Sequence, residues 1–331
     1  MNSEQISIIV PVYNGASSIK VCIDSILDQT FQDFKIYIIN DGSVDNTPEI
    51  LSNYLGDSRV VILHQENSGV SVARNKGLEQ VNGKYIAFVD ADDTLEVNYL
   101  SSLLKGFDKS DISLSICSYN AIDKKTNKII TPKFNVGDFK KDEAIEYIIS
   151  EKGPQGYLWN KLFLSSIIKQ SNLRFDSAIF MAEDLLFVVQ YIVIQSGKVH
   201  IINDPVYNYI IYDNSSNGTR LSGLKLGYQK YFDNFLDCID RIYHIIPNSL
   251  GLAKQAVLGR KGRIAIQYLR ANNLMDEKNK RLKEKLQGIA RENMKYYFKG
   301  IDSNLRSKFI YLLTLYMPSL ALARDRNHFG K

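Results

Sequence analysis

Through the first ninety residues, short apolar runs alternate with stretches of helical spacing. Residues 6–13 form a nearly continuous apolar run that stops at the turn pair Asn14-Gly15, which predicts a buried strand. Ile19, Cys22, Ile23, Ile26 and Leu27 then recur at helical intervals across residues 17–29. A second strand is predicted over 34–39, ending in Asn40-Asp41-Gly42-Ser43, and Asp45 and Thr47 can cap a helix running through Leu55. Residues 59–63 predict a third strand, 70–80 a helix and 84–89 a fourth strand. Strands and helices alternating at this spacing imply a parallel sheet with helices on both faces. Ligands of such sheets bind beyond the carboxyl ends of the strands.

Polar residues collect at those ends. They are Tyr13 and Asn14, then Asn40 and Asp41, and most of all Asp90, Asp92 and Asp93, where the run Lys84-Tyr-Ile-Ala-Phe-Val places three carboxylates within four residues. Acids this close repel one another unless a positive charge sits among them. A hard divalent cation fits, because it needs only one or two carboxylates when a substrate diphosphate completes its shell. The plainer reading is a solvated acidic turn, since Asn, Asp and Gly dominate turns in any protein. Convergence of three strand ends on one place favours a site.

From about 95 to 224 the pattern is mixed, with a strand-like stretch at 111–117 and a helical run near 142–150. From about 225 it is mostly helical. Lys278, Lys280, Arg281, Lys283 and Lys285 form a basic cluster there. An apolar segment at 309–323 is flanked by Arg306, Lys308, Arg324 and Arg326 and broken by Pro318. It is too short for one straight membrane-crossing helix, which needs about 20 residues. It can lie in a membrane interface with its cations on lipid headgroups, or pack on the protein's own body with a solvated basic rim. Three segments are expected: a ligand-binding half at 1–100, a second half of the same domain at 101–224, and a basic helical region at 225–331.

Composition narrows the class. Of the 331 residues, 45% are hydrophobic and 23% charged, ordinary for a globular protein. Cys22, Cys117 and Cys238 are scattered, which argues against a disulfide framework and for a reducing compartment. No secretory leader is read at the start, so a cytoplasmic location is expected, with peripheral attachment to the inner face of the membrane as an added possibility. Residues 1–224 hold 20 Lys and Arg against 27 Asp and Glu, a net charge of −7. Residues 225–331 hold 21 against 9, a net charge of +12. A basic tail suits an anionic membrane surface or nucleic acid; no nucleic-acid partner is expected, and the tail serves equally as a homodimer contact. His64, His200, His244 and His328 show no ligand spacing.

Four stretches occur in order: Ile8-Ile-Val-Pro-Val-Tyr-Asn14, Ile39-Asn-Asp-Gly-Ser-Val-Asp45, Asn67-Ser-Gly-Val-Ser-Val-Ala-Arg-Asn-Lys-Gly77 and Phe88-Val-Asp-Ala-Asp-Asp93. With Trp159-Asn-Lys-Leu-Phe163 and Met181-Ala-Glu-Asp-Leu185 they resemble the family 2 glycosyltransferases, inverting enzymes of GT-A fold, over roughly residues 5–215. The resemblance implies an α/β, Rossmann-like, mixed but mostly parallel sheet flanked by helices, with a C-terminal helical extension. It also implies roles. Pro11, Val12 and Tyr13 would wall the nucleotide base, with Asn14 beside them. Asp41 would accept a hydrogen bond from the base, which suits uracil, and Arg74 would lie near base or diphosphate. Asp90 would hold the ribose region and Asp92 would ligate Mn²⁺ or Mg²⁺, with Asp90 a further ligand, Ala91 lining the donor and Asp93 supporting from behind. Asp184 would be the base that takes the acceptor's proton, with Glu183 beside it in the acceptor pocket. Glu183 and Asp184 also open an apolar helix, where the positive end of the dipole favours carboxylates in any case. Trp159, the only tryptophan, would face the acceptor sugar, with Asn160 and Lys161 nearby; an isolated Trp is more often core. In the segment of Tyr207, Tyr209 and Tyr212 after Pro205, Ile210 and Ile211 stand where relatives often carry an Arg or His, a departure from the family pattern at a position for a phosphate contact.

Three functions fit these features. The first is metal-dependent transfer of a hexosyl or N-acetylhexosaminyl group from a nucleotide sugar, most simply a UDP-sugar, to a glycan or lipid-diphosphate-linked acceptor in capsule or exopolysaccharide synthesis. One base without a second nucleophile implies inversion at the anomeric carbon. The second is sugar-nucleotidyl transfer, against which the loop Asn14-Gly-Ala-Ser-Ser18 offers no cation for a triphosphate. The third is a non-catalytic nucleotide-binding scaffold. Hydride transfer is disfavoured because no Gly-x-Gly-x-x-Gly follows the first strand.

Overall fold

A computed structural model describes residues 4–212, 228–274 and 279–329. The chain forms two compact units, one of residues 1–141 and 156–215, the other of residues 142–155 and 216–331.

The first unit is built on a ten-stranded sheet. Strands β1 (Ile6–Val12), β2 (Phe34–Asp41), β3 (Val60–Gln65) and β4 (Tyr85–Phe88) run parallel in the order β3-β2-β1-β4. Every residue of β1 is buried, as a strand covered on both faces requires. Helix α1 (Ile19–Leu27) lays Ile19, Cys22, Ile23 and Ile26 on the sheet, the spacing read from the sequence. Helix α2 (Thr47–Ser52) is shorter than expected: residues 53–56 turn rather than continue to Leu55, Asn53 and Tyr54 donating to carbonyls three residues back. Helix α3 (Val70–Gln80) returns the chain to β4.

Past β4 the sheet becomes mixed. The order continues through β9 (Lys161–Leu164), β6 (Ile112–Asp123) and β10 (Lys198–Ile211) to the two-residue strand β5 (Thr94–Leu95). β9 lies antiparallel to both β4 and β6, while β6 and β10 are parallel. The strand expected at 111–117 is the buried half of β6. The short strands β7 (Ile129–Ile130) and β8 (Gly137–Phe139) pair with β6 and β10. Helices α4 (Tyr99–Lys105), α6 (Ser165–Gln170) and α7 (Glu183–Ile194) complete the unit. The mixed, mostly parallel sheet flanked by helices is the expected architecture.

The second unit is helical. It holds α5 (Lys141–Ile149) from Asp142 onward, α8 (Tyr228–Ile245), α9 (Gly251–Leu274), α10 (Lys280–Lys299), α11 (Leu305–Tyr316) and α12 (Pro318–Phe329). The Asp142 carboxylate accepts from the Leu252 and Ala253 amides and so caps α9 from a distance of more than a hundred residues. Pro318 divides the apolar segment into two helices and stands first in α12, where its missing N–H has no helical partner to lose. No helix of the described residues is long and apolar enough to cross a membrane. Lys278 of the basic cluster lies outside the described residues; Lys285 of that cluster pairs with Asp233 at 2.7 Å.

Candidate active site at the carboxyl edge of the sheet

The loops after β1 and β2 are stitched together. Asn14, at φ +50°, donates its amide to Ser43 Oγ at 2.9 Å, and its Oδ1 accepts from the Val44 amide. The Gly15 and Ala16 amides donate to Thr47 Oγ1 and Asp45 Oδ2. Asn14, Asp45 and Thr47 therefore shape a turn, and Tyr13, half exposed, is presented beside it. Pro11 pairs in the sheet and Val12 is buried.

Asp41 organises the next loop. Its Oδ1 accepts from Gln65 Nε2 at 2.7 Å and the Ser68 amide at 2.9 Å, and its Oδ2 from the Gly69 amide at 2.8 Å. Gly42 follows at φ +71°, where an added Cβ would sit 2.6 Å from the Asn67 nitrogen, so only glycine lets the two loops approach. The carboxylate expected to meet a base thus also pins the entry to α3.

From α3, Arg74 reaches the acidic turn after β4. Its guanidinium is buried, 3.3 Å from Asp90 Oδ1, 3.1 Å from Glu183 Oε1 and 5.5 Å above the centre of the Phe175 ring. Nε has no hydrogen-bond partner among the described residues. Next along the helix, Asn75 holds the Phe175 backbone at both ends, donating from Nδ2 to its carbonyl and accepting its amide at Oδ1. That pair ties α3 to the segment leading into α7. Sequence reading did not single out Asn75, although it adjoins Arg74 in a quoted stretch.

The three aspartates differ in environment. Asp90 is partly exposed and faces Arg74. Asp92 is exposed at the edge, with Ala91 half-buried before it; partial desolvation and then the charge of Asp90 raise its carboxyl above the usual carboxylate range. Asp93 is buried, accepting from Tyr207 Oη at 2.6 Å and from the Ile210 amide at 2.8 Å. Burial, followed by the charges of Asp90 and Asp92, pushes its carboxyl well upward. The Tyr207 hydroxyl also accepts from the Asp90 amide at 3.3 Å, and Tyr212 Oη donates to the Asp92 carbonyl at 3.4 Å. Tyr207 and Tyr212 therefore hold the acidic turn by hydrogen bonds.

Glu183 and Asp184 begin α7, as expected, directly after Ala182 at φ +62°. A left-handed alanine is strained by about 1 kcal/mol, and it turns the chain so that both acids lead the helix. Trp159, Asn160 and Lys161 stand in the interior rather than at the surface. Trp159 stacks on Tyr157, Tyr207 and Tyr209 at 4.8, 4.4 and 5.6 Å, with Tyr119 edge-on at 4.8 Å. Of this cluster, Tyr119, Tyr157 and Tyr209 keep some exposure. Asn160 Nδ2 donates to the Cys117 carbonyl at 3.1 Å. Lys161 Nζ donates to the Tyr157 carbonyl at 2.6 Å and to Asn160 Oδ1 at 2.9 Å. Burial pushes the Lys161 amine down to about 7, opposed by the negative charge of Asp184.

Among the described residues no group of three or more His, Cys, Asp or Glu side chains is arranged to hold a metal ion by itself. The donor set at Asp90 and Asp92 nevertheless fits a hard cation that shares its shell with a substrate diphosphate: oxygen ligands, an exposed carboxylate, and mutual repulsion that a cation would relieve.

A mixed α/β sheet with acids at the carboxyl ends of its parallel strands is the GT-A architecture. The fold is similar to that of Staphylococcus aureus TarS, residues 1–349, solved in complex with UDP: TM-score 0.56 and 18% identity over 88% of this chain and 89% of that one, a likeness of fold alone. Residues 7–169 match the family profile described as Glycosyl transferase family 2. The glycosyltransferase GlyG of Streptococcus pneumoniae is 30% identical over 225 residues, which cover 62% of this chain and 71% of GlyG. The putative glycosyltransferase EpsH of Bacillus subtilis is 33% identical over 237 residues; they cover 70% of this chain and 65% of EpsH, less than two thirds of that relative. The chain belongs to glycosyltransferase family 2.

Proposed function

We propose that the protein transfers a sugar, hexosyl or N-acetylhexosaminyl, from a nucleotide sugar to a hydroxyl of a glycan or lipid-linked acceptor, inverting the anomeric centre. A UDP-sugar is the donor that suits Asp41 and Tyr13 best, and surface polysaccharide synthesis is the fitting process. One observation carries this reading. The Arg74 guanidinium joins Asp90, on the donor side, to Glu183, next to the proposed base. That bridge connects the two halves of a displacement reaction.

In this mechanism Tyr13 stacks on the base and Asp41 orients it through the loop it already holds. Asp92, with Asp90, would hold Mn²⁺ or Mg²⁺, which stabilises the charge on the departing nucleoside diphosphate. Asp184 takes the acceptor hydroxyl's proton on a carboxylate oxygen as the oxygen attacks the anomeric carbon. Glu183 pairs with Arg74 at 3.1 Å and keeps the start of α7 in place. The partly exposed rings of Tyr119, Tyr157 and Tyr209, backed by Trp159, offer the apolar surface that stacks on an acceptor sugar. A lipid-linked acceptor would bring the protein to a membrane surface.

The test is a panel of nucleotide sugars incubated with the protein and Mn²⁺ without acceptor. Slow release of one nucleoside diphosphate identifies the donor; release of pyrophosphate from a triphosphate and a sugar phosphate would replace this reading with nucleotidyl transfer.

A further inference from the structure

Helix α11 carries apolar side chains on its exposed face as well as on its buried one. Leu305, Phe309, Leu312 and Tyr316 follow one another at helical intervals of four, three and four and fall on one face. Their relative exposures are 87%, 62%, 38% and 56%. The opposite face is the buried one, carrying Tyr311, Thr314 and Leu315. That orientation is anchored: Tyr311 Oη donates to the Ala290 carbonyl of α10 at 2.7 Å and its ring stacks on Tyr297 at 5.1 Å. Met317 and Leu320, which follow in the chain on either side of the proline, are exposed as well. Here α12 is fastened by buried Ala321 and by the two-pronged Arg270–Asp325 pair at 2.8 Å. A contiguous exposed apolar strip of this kind marks a surface that something covers.

Its rim is cationic. Arg306 is exposed on one flank, and on the other Lys308 holds its ammonium 5.7 Å from the centre of the Phe298 ring. The surrounding region, residues 225–331, carries a net charge of +12. A second copy would set +12 against +12, which opposes self-association. Apolar side chains bordered by cations match the boundary between the acyl chains and phosphates of an anionic bilayer.

We propose that the Leu305–Phe309–Leu312–Tyr316 face docks in the plane of an anionic lipid surface, with Met317 and Leu320 extending the contact and Arg306 and Lys308 on lipid phosphates. This contact stands apart from the sugar-transfer reading, since none of its residues belongs to the proposed site.

The experiment is co-sedimentation of the full chain with vesicles of phosphatidylcholine alone and of phosphatidylcholine mixed with phosphatidylglycerol. The wild type is expected to bind the mixed vesicles and to weaken as salt rises. Leu305→Ser combined with Phe309→Ser is expected to lower the partition coefficient at least tenfold, and Arg306→Glu several-fold on mixed vesicles only. All three proteins should melt at the same temperature, because the changed side chains lie outside the core. Failure of the wild type to bind mixed vesicles, or equal partition of the double serine variant, overturns the proposal. So does a concentration-dependent dimer in light scattering that the double variant abolishes. Donor hydrolysis measured on the same proteins reads the active site separately.

Discussion

Arg74 and Glu183 lie 109 residues apart in the chain and meet at 3.1 Å. The same guanidinium touches Asp90, so one buried cation serves two acids that are distant in the chain. A lysine carries the charge but not the fork that reaches both carboxylates. Arg74→Lys is expected to reduce kcat/KM for sugar transfer by at least about tenfold and Arg74→Met by more, because the latter leaves two carboxylates near each other with no counter-charge. Steady-state kinetics at fixed donor concentration checks this; a lysine variant with wild-type kcat/KM would remove the bridge from the mechanism.

The donor and acceptor sides should separate cleanly. Asp92→Asn is expected to abolish the Mn²⁺-dependent part of UDP binding in calorimetry. Asp184→Asn should retain that binding while transfer falls by about 10²–10⁴-fold, the usual contribution of a general base. Near-normal turnover in the Asp184 variant would mean that the base lies elsewhere.

Tyr207→Phe removes the hydroxyl that donates to Asp93 and accepts from the Asp90 amide. Losing a hydrogen bond to a buried carboxyl costs about 1–3 kcal/mol. The variant is expected to unfold at lower urea concentration and to bind UDP with Mn²⁺ more weakly, since the acidic turn loses its brace. A variant as stable as wild type would show that Asp93 draws its support from the Ile210 amide alone.

Asn75→Ala deletes both hydrogen bonds to the Phe175 backbone. The expected loss of stability is about 1–3 kcal/mol, and transfer should fall more than donor binding because the segment preceding Asp184 is released. Equal losses in both measurements would place the effect in global folding instead.

Lys161 supplies a pH test. Its folded amine titrates at about 7, against an ordinary value of 10.5. Between those values the unfolded chain holds a proton that the folded protein does not, so stability rises with pH from about 7 to about 10.5. Below about 7 the penalty of the buried charge is present in full. Lys161→Met should flatten this rise. Urea unfolding of both proteins between pH 6.5 and 9.5 measures it, and parallel curves would show that the amine is not desolvated.

How much was legible divides along physical lines. The sequence by itself determined the parallel half of the sheet, since β1, β2 and β4 are runs buried on both faces whose composition admits little else. It also determined that polar residues stand at strand ends, because strand length and turn chemistry are local. Tertiary structure alone decided the partners. Nothing in the spacing of Arg74, Asp90 and Glu183 announces that they meet; that follows from the Arg74 side chain of α3 and the first turn of α7 both reaching the acidic turn. Burial was likewise a global outcome. Trp159 and Lys161 carry a surface-compatible aromatic ring and a cation, yet antiparallel insertion of β9 between β4 and β6 places them inside. The apolar segment at 309–323 reads as core or membrane from its composition. Packing of Tyr311, Thr314 and Leu315, with Tyr311 anchored on α10, determines which face turns outward. Local pattern specifies elements, and packing, which depends on every other element at once, specifies what each face meets.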